Sequence, residues 1–252
     1  MNYAICIGSY KMPQFVELCI KRCRRIFGDQ VPILVSDDLS SQSDSIKKLA
    51  DDLGCGYVVG DGRISHFGGD MQAVLNAITW GSDSDACIKI SQRLIPVLPA
   101  FVDSLNAAFS NPKINVVLPG QLESRQIART QASFYSRFGI LTDVIAIRTN
   151  SLSTKELLDI YTERLLRPKA RSDCFVETTF GWLLANKFKD AHHIIPEWTN
   201  HIPFKPKAFL RKSQSNYNEY QKVAQMENVS GDWDLREWGI IEKSFYMPKP
   251  SI

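Results

Sequence analysis

The chain has 252 residues, of which 44% are hydrophobic and 23% charged, and its net charge is +3 at neutral pH. That is the balance of an ordinary globular protein, long enough to bury roughly 70–75% of its unfolded surface without a disulfide or metal to hold the core. So small a charge gives no ground for a nucleic-acid partner, and no apolar run reaches the ~18 residues that cross a bilayer.

The first half alternates strand and helix. Tyr3 to Gly8 reads as a buried strand opening the chain, with no signal-peptide pattern before it. Pro13 suits the first turn of a helix. That helix carries Phe15, Val16, Cys19, Ile20, Cys23 and Phe27 on one face and ends at Gly28. Val31 to Ser36 is a second strand. Ser43 is read as the cap of a helix bearing Ile46, Leu49, Ala50 and Leu53, closed by Gly54. Tyr57 to Val59 is a short third strand. Gly60, Asp61, Gly62, Gly68 and Gly69 mark a turn-rich segment, and a helix is expected from about Met71 to Trp80. Ala86 to Ser91 is a fourth strand, Pro99 to Phe109 a helix, and Ile114 to Leu118 a fifth strand. This rhythm predicts an α/β fold with a mostly parallel sheet covered on both faces. Ligands of such sheets bind beyond the carboxyl ends of the strands.

The second half is less regular. Asp143 to Arg148 reads as a strand, Ser153 to Glu156 as a capping box opening a helix, and Cys174 to Phe188 as a helix. His192 to Ile195 reads as a strand and Tyr217 to Met226 as a last helix. No repeat, low-complexity tract or linker divides the chain. It is read as one domain, with residues 1–120 and 121–252 as its halves. The six cysteines contain no C-x-x-C pair and are expected to be reduced, in a cytoplasmic protein.

The acidic pair Asp37-Asp38 follows strand two directly. Carboxylates there can accept hydrogen bonds from a base N–H or a ribose hydroxyl, or simply form a turn or helix cap. A strand, a helix and a strand ending Val35-Ser-Asp-Asp38 resemble the opening of family 2 glycosyltransferases and their GT-A relatives. Gly68-Gly69-Asp70 through Trp80 resembles that family's helix after the third strand, and Asp85 to Ser91 its strand entering the metal motif. The resemblance covers about the first 120 residues well and the rest loosely.

It implies a GT-A-like fold that moves a sugar from a nucleoside-diphosphate donor to a carbohydrate or lipid-linked acceptor, with inversion, as in polysaccharide biosynthesis. Ile7, Gly8 and Ser9 would lie beneath the base, Asp37 would contact uracil or its equivalent, and Asp38 would lie near the ribose. Arg63 and Gly69 would line the entrance towards the phosphates. Asp173, at a helix start, or Glu177, one turn on, would take the acceptor's proton. An acid favoured there by the helix dipole alone fits equally.

The departure lies where the family carries Asp-x-Asp for Mg²⁺ or Mn²⁺, because this chain reads Ser91-Gln92-Arg93. Those side chains supply no hard anionic oxygen. Either Arg93 stabilises the departing diphosphate without a metal, or the domain only binds, as partner of an active transferase. Asp83-Ser-Asp85 is a literal Asp-x-Asp but precedes its strand, at the wrong edge of the sheet.

One of His192, His193 and His201 could be the phosphate or metal contact that some family members carry in this region, or each could be structural. Arg125, Arg129, Arg137 and Tyr135 could meet an anionic acceptor such as a lipid-linked phosphate or acidic sugar, or form a solvated surface; the mildly basic charge suits an anionic ligand or a peripheral membrane face equally. Trp198, Trp233 and Trp238 are sugar-stacking candidates, and Trp182 reads as core. A nucleotidyltransferase is disfavoured, since its Gly-rich basic loop after strand one is replaced by Gly8-Ser-Tyr-Lys-Met-Pro13.

Overall fold

A computed structural model describes residues 1–60, 65–92, 94–118, 144–165, 187–194, 209–211, 217–231 and 233. The strands are β1 (Tyr3–Ser9), β2 (Ile33–Asp37), β3 (Gly56–Val59), β4 (Ala86–Ser91), β5 (Leu94–Pro96), β6 (Val116–Leu118), β7 (Val144–Arg148), β8 (His192–Ile194) and β9 (Phe209–Arg211), of which β5 and β9 are not among the strands read from the sequence. The helices are α1 (Pro13–Phe27), α2 (Ser43–Asp52), α3 (Ser65–Trp80), α4 (Ala100–Phe109), α5 (Thr154–Leu165) and α6 (Tyr217–Met226).

Seven strands form one sheet in the order β3-β2-β1-β4-β7-β6-β8. All run parallel except β7, which pairs antiparallel with both β4 and β6. The parallel sheet expected from the sequence is present, with one reversed strand inserted between β4 and β6. β5 and β9 pair antiparallel in a separate two-stranded sheet.

Alternate residues of each strand feed two apolar layers. Ile5, Ile7, Val35, Ile88 and Ile90 pack with α1, α2, α4 and α6. Cys6, Leu34, Cys87, Ile145 and Ile147 pack with α3 and α5. α1 and α2 bury apolar residues that their periodicity predicts, Ile46 and Ala50 in α2. α1 buries Phe15, Val16, Cys19, Ile20 and Cys23, and starts with Pro13 where no N–H is needed. α5 opens with the expected capping box, Ser153 Oγ accepting from the Glu156 N–H at 3.1 Å and the Glu156 carboxylate accepting from the Ser153 N–H at 2.9 Å.

Three readings change. α3 begins at Ser65, so Gly68 and Gly69 lie within a helix rather than a turn. Ser43 is the first residue of α2, and Gln42 holds the cap position. Trp233 is not a free stacking surface. It is buried against Phe15, with ring centres 4.9 Å apart and the planes at 69°, and near Tyr220. An aromatic edge-to-face contact inside the core satisfies that ring better than solvent would. Cys6, Cys19, Cys23 and Cys87 are buried free thiols. Burial pushes Cys6 and Cys87 well above the usual thiol range. Among the described residues, no helix is long and apolar enough to cross a membrane.

Candidate functional site

The chain proceeds from β1 outward to β2 and β3, then returns to place β4 on the other side of β1. That reversal leaves a crevice between the β1 and β4 carboxyl ends, the position where open α/β sheets bind ligands. Register aligns Gly8 with Ser36 and Ser91, and Ser9 with Asp37. The structure therefore brings Gly8, Ser9, Asp37 and Asp38 to one edge, with Gln92 just beyond.

Asp37 sits in a cage of hydroxyls. Ser9 Oγ donates to its Oδ1 at 3.1 Å and Tyr57 Oη to its Oδ2 at 3.2 Å. Ser43 Oγ stands between Asp37 Oδ2 and the Ser40 carbonyl. Burial, then the Asp37 carboxylate, pushes the Tyr57 hydroxyl up to about 12, so it remains a neutral donor. α2 begins at Ser43, and its amino end favours a carboxylate there. Asp37 itself is buried.

Asp38 is the more accessible acid. Its backbone N–H donates to the Ser9 carbonyl at 3.0 Å. Its side chain lies against Gly69 of α3 so closely that an added Cβ would come within 2.8 Å of Asp38 Cγ and Oδ2. Glycine at 69 is what lets the helix approach the acid.

Gln92 is 3% exposed, and its amide is consumed by the β1–α1 loop. Its Oε1 accepts from the Tyr10 N–H at 3.1 Å, and its Nε2 donates to the Tyr10 and Lys11 carbonyls at 2.9 and 3.1 Å. In that loop Lys11 and Met12 have left-handed backbones, φ 57° and 56°. Each such residue costs about 1–3 kcal/mol, and each of the three hydrogen bonds contributes about 1 kcal/mol, so the two are comparable.

Beneath Gly8, on the α3 side, Lys89 is 1% exposed in an otherwise apolar strand. Its ammonium donates to Asp70 Oδ1 at 2.5 Å and to Ser91 Oγ at 3.0 Å.

These contacts bear on a divalent metal. Ser91 Oγ faces an ammonium, and Gln92 has its carbonyl oxygen engaged by a backbone N–H. Neither supplies the hard anionic oxygens that Mg²⁺ or Mn²⁺ prefers. Among the described residues, no group of three or more His, Cys, Asp and Glu could hold a metal. The described residues at the motif position therefore do not fit the ion.

The other candidates scatter. Ile7 is fully buried in the α1-side core. Asp85 lies at the opposite sheet edge, where its carboxylate accepts from the Asn2 N–H at 2.7 Å. Register carries His192 through Val116 and Ile147 to the level of Cys87. That is three strands across, ~14 Å, and about 13 Å along the strand from Ser91. The His192 ring nitrogen meets the Phe188 carbonyl at 3.0 Å. Arg63, Arg93, Asp173, Glu177, His201, Trp182, Trp198, Trp238, Tyr135 and the arginines at 125, 129 and 137 lie outside the described residues.

By sequence, no family model and no curated protein matches the chain. Solved structures do resemble it. A cytidylyltransferase from Leptospira borgpetersenii superposes with TM-score 0.51 at 14% identity, over 100% of this chain and 99% of that one. Glucosyl-3-phosphoglycerate synthase from Mycobacterium tuberculosis, with Mn²⁺, uridine diphosphate and glucosyl-3-phosphoglycerate, gives 0.53 at 12% identity, over 89% and 76%. The same synthase with Mn²⁺, uridine-diphosphate-glucose and phosphoglyceric acid gives 0.53 at 11% identity, over 92% and 81%. Likeness at such identities concerns the fold, and the fold is the GT-A-like α/β arrangement.

Proposed function

We propose that the chain is a glycosyltransferase that takes a sugar from a nucleoside-diphosphate donor and passes it to a carbohydrate or lipid-linked acceptor. The observation that carries the reading is the acid pair at the switch point, where Asp37 is fixed by hydroxyls and Asp38 is set against Gly69 of α3. Asp37 and Asp38 hold the nucleoside, and Arg63 and Gly69 flank the way to the phosphates. Arg93, directly after Gln92, faces the diphosphate and offsets its developing charge. Asp173 or Glu177 takes the acceptor's proton, and transfer proceeds with inversion.

The test is a thermal-shift and calorimetry panel of nucleoside diphosphates and their sugars, each with Mn²⁺ and with chelator. A ligand well above its Kd raises the melting temperature by mass action. A shift with one diphosphate that survives chelator supports the reading, Arg93 included. A shift that needs Mn²⁺ keeps the transferase and overturns the role of Arg93. No shift with any nucleotide favours a domain that only binds, beside an active transferase.

Full-length likeness to a cytidylyltransferase supports a second reading, nucleotidyl transfer to a sugar phosphate. Nucleoside triphosphates in the same panel separate the two, because that reaction starts from a triphosphate.

Gly69→Ala gives a sharper check on Asp38. Alanine favours the helix by about 1 kcal/mol, while its Cβ displaces the Asp38 carboxylate. The melting temperature is expected to hold or rise while affinity for the bound diphosphate falls by about tenfold, one hydrogen bond's worth. Unchanged affinity removes Asp38 from the donor site.

A further inference from the structure

The residue in the middle of the altered motif is engaged with the opposite wall of the crevice. We propose that Gln92 is a positioning residue for the donor, clamping the β1–α1 loop over the switch point in a left-handed conformation that the loop does not hold by itself. The inference rests on the donor-site reading above.

The loop is under unusual conformational demand. Left-handed backbone is normally visited by single residues, chiefly glycine, yet here Lys11 and Met12 adopt it consecutively. Pro13 follows and biases the residue before it towards extended backbone, whereas Met12 has φ 56° and ψ 68°. Two amides oppose this tendency. Gln92 reaches from the end of β4 and ties down the backbone N–H and carbonyl of Tyr10 and the carbonyl of Lys11. Gln42, at the head of α2, accepts from the Met12 N–H at 2.6 Å.

The chemistry at position 92 is specific. The loop requires one acceptor and two donors on a single planar group, and glutamine's amide supplies them. Glutamate would aim a carboxylate at two carbonyl oxygens, and asparagine is one methylene shorter. The clamp fixes Tyr10 and Lys11, both half-buried, at the mouth, with the Lys11 ammonium 5.4 Å from the centre of the Tyr10 ring. A loop held ready in this way binds without the cost of ordering it, and a loop released from it binds only from the fraction that is correctly folded over.

The probe is whichever of UDP, CDP, GDP and ADP the full chain binds most tightly, measured by calorimetry, with amide hydrogen exchange read at Tyr10 to Met12. Gln92→Ala is expected to weaken binding about tenfold and to speed exchange in the loop, with the same result for Gln92→Glu. Adding Met12→Gly to Gln92→Ala should recover most of the affinity, because glycine takes the left-handed backbone freely and also caps a helix acceptably. A role in general fold support would not respond to that rescue. Wild-type affinity in Gln92→Ala overturns the clamp alone, as does a loss that Met12→Gly leaves uncorrected. A wild-type chain that binds none of the four overturns the donor reading and the clamp with it.

Discussion

Glu227→Ala is expected to lower the unfolding free energy by about 3–5 kcal/mol, because it leaves a buried guanidinium without its counter-charge. Glu227 closes α6 and reaches back to α1. Its Oε1 accepts from Arg22 at 2.8 Å and from Arg25 at 2.7 Å, and its Oε2 accepts from Arg25 at 3.0 Å. Arg22 and Glu227 have side chains only 7% and 6% exposed, while Arg25 is 56% exposed. The Arg22 pair therefore dominates, and the Arg25 contact, screened by solvent, contributes little. The remaining Arg22 donors meet the Pro96 and Val97 carbonyls at 3.1 and 2.8 Å, so the guanidinium cannot turn to solvent without breaking them. Urea unfolding reads the loss as a lower midpoint at unchanged slope. The pH dependence follows from Glu227. Burial raises its pKa, but the hydrogen bonds from Arg25 and Arg22 outweigh burial, and the folded value lies below the ordinary 4.5. Its contribution is then complete above about pH 4.5 and fades as pH falls through the lower folded value. The gap between wild type and Glu227→Gln should shrink across that acid range. A gap that stays constant would show that the carboxylate's charge is not what holds α6 to α1.

The elements that sequence exposes are those whose local pattern and tertiary setting agree. β1, β2 and β4 are apolar runs and α1 an amphipathic helix, each with clear stops, and their order fixes the switch point and the edge holding Asp37 and Asp38. Misreadings arise where a tertiary contact overrules the local signal. Gly68 and Gly69 look like a turn, but Gly69 is a helix residue stripped of its side chain for Asp38. Ser43 looks like a helix cap, but its hydroxyl is engaged with Asp37 from one residue further in. β5 is three residues long and its partner β9 lies over a hundred positions away, so no local periodicity marks it. Gln92 was visible only as a missing carboxylate, since its partners at Tyr10 and Lys11 are 82 and 81 residues distant. Lys89 carried a signal that could have been read: a lysine inside the run Ala86-Cys-Ile-Lys-Ile-Ser91 requires a buried acid. Asp70, on the helix before that strand, was the available one.

Asp70→Ala is expected to cost about 3–5 kcal/mol, and more than Lys89→Met, although both break the same ion pair. The asymmetry follows from exposure. Lys89 has a side chain only 1% exposed, whereas Asp70 is 12% exposed. Removing the acid leaves an ammonium sealed between β4 and α3. Removing the lysine leaves a carboxylate nearer to water, which can recover part of its hydration. Ser91 Oγ at 3.0 Å is a neutral acceptor and does not replace the lost charge. The double variant Lys89→Met with Asp70→Ala should be milder than Asp70→Ala alone, because removing both charges of the pair removes the lysine's desolvation penalty along with the attraction. A double-mutant cycle by urea unfolding isolates the coupling. Additive losses would mean that the two side chains are supported independently. A coupling of about 1–3 kcal/mol would establish that the acid on α3 supports the buried lysine of the strand beneath the crevice.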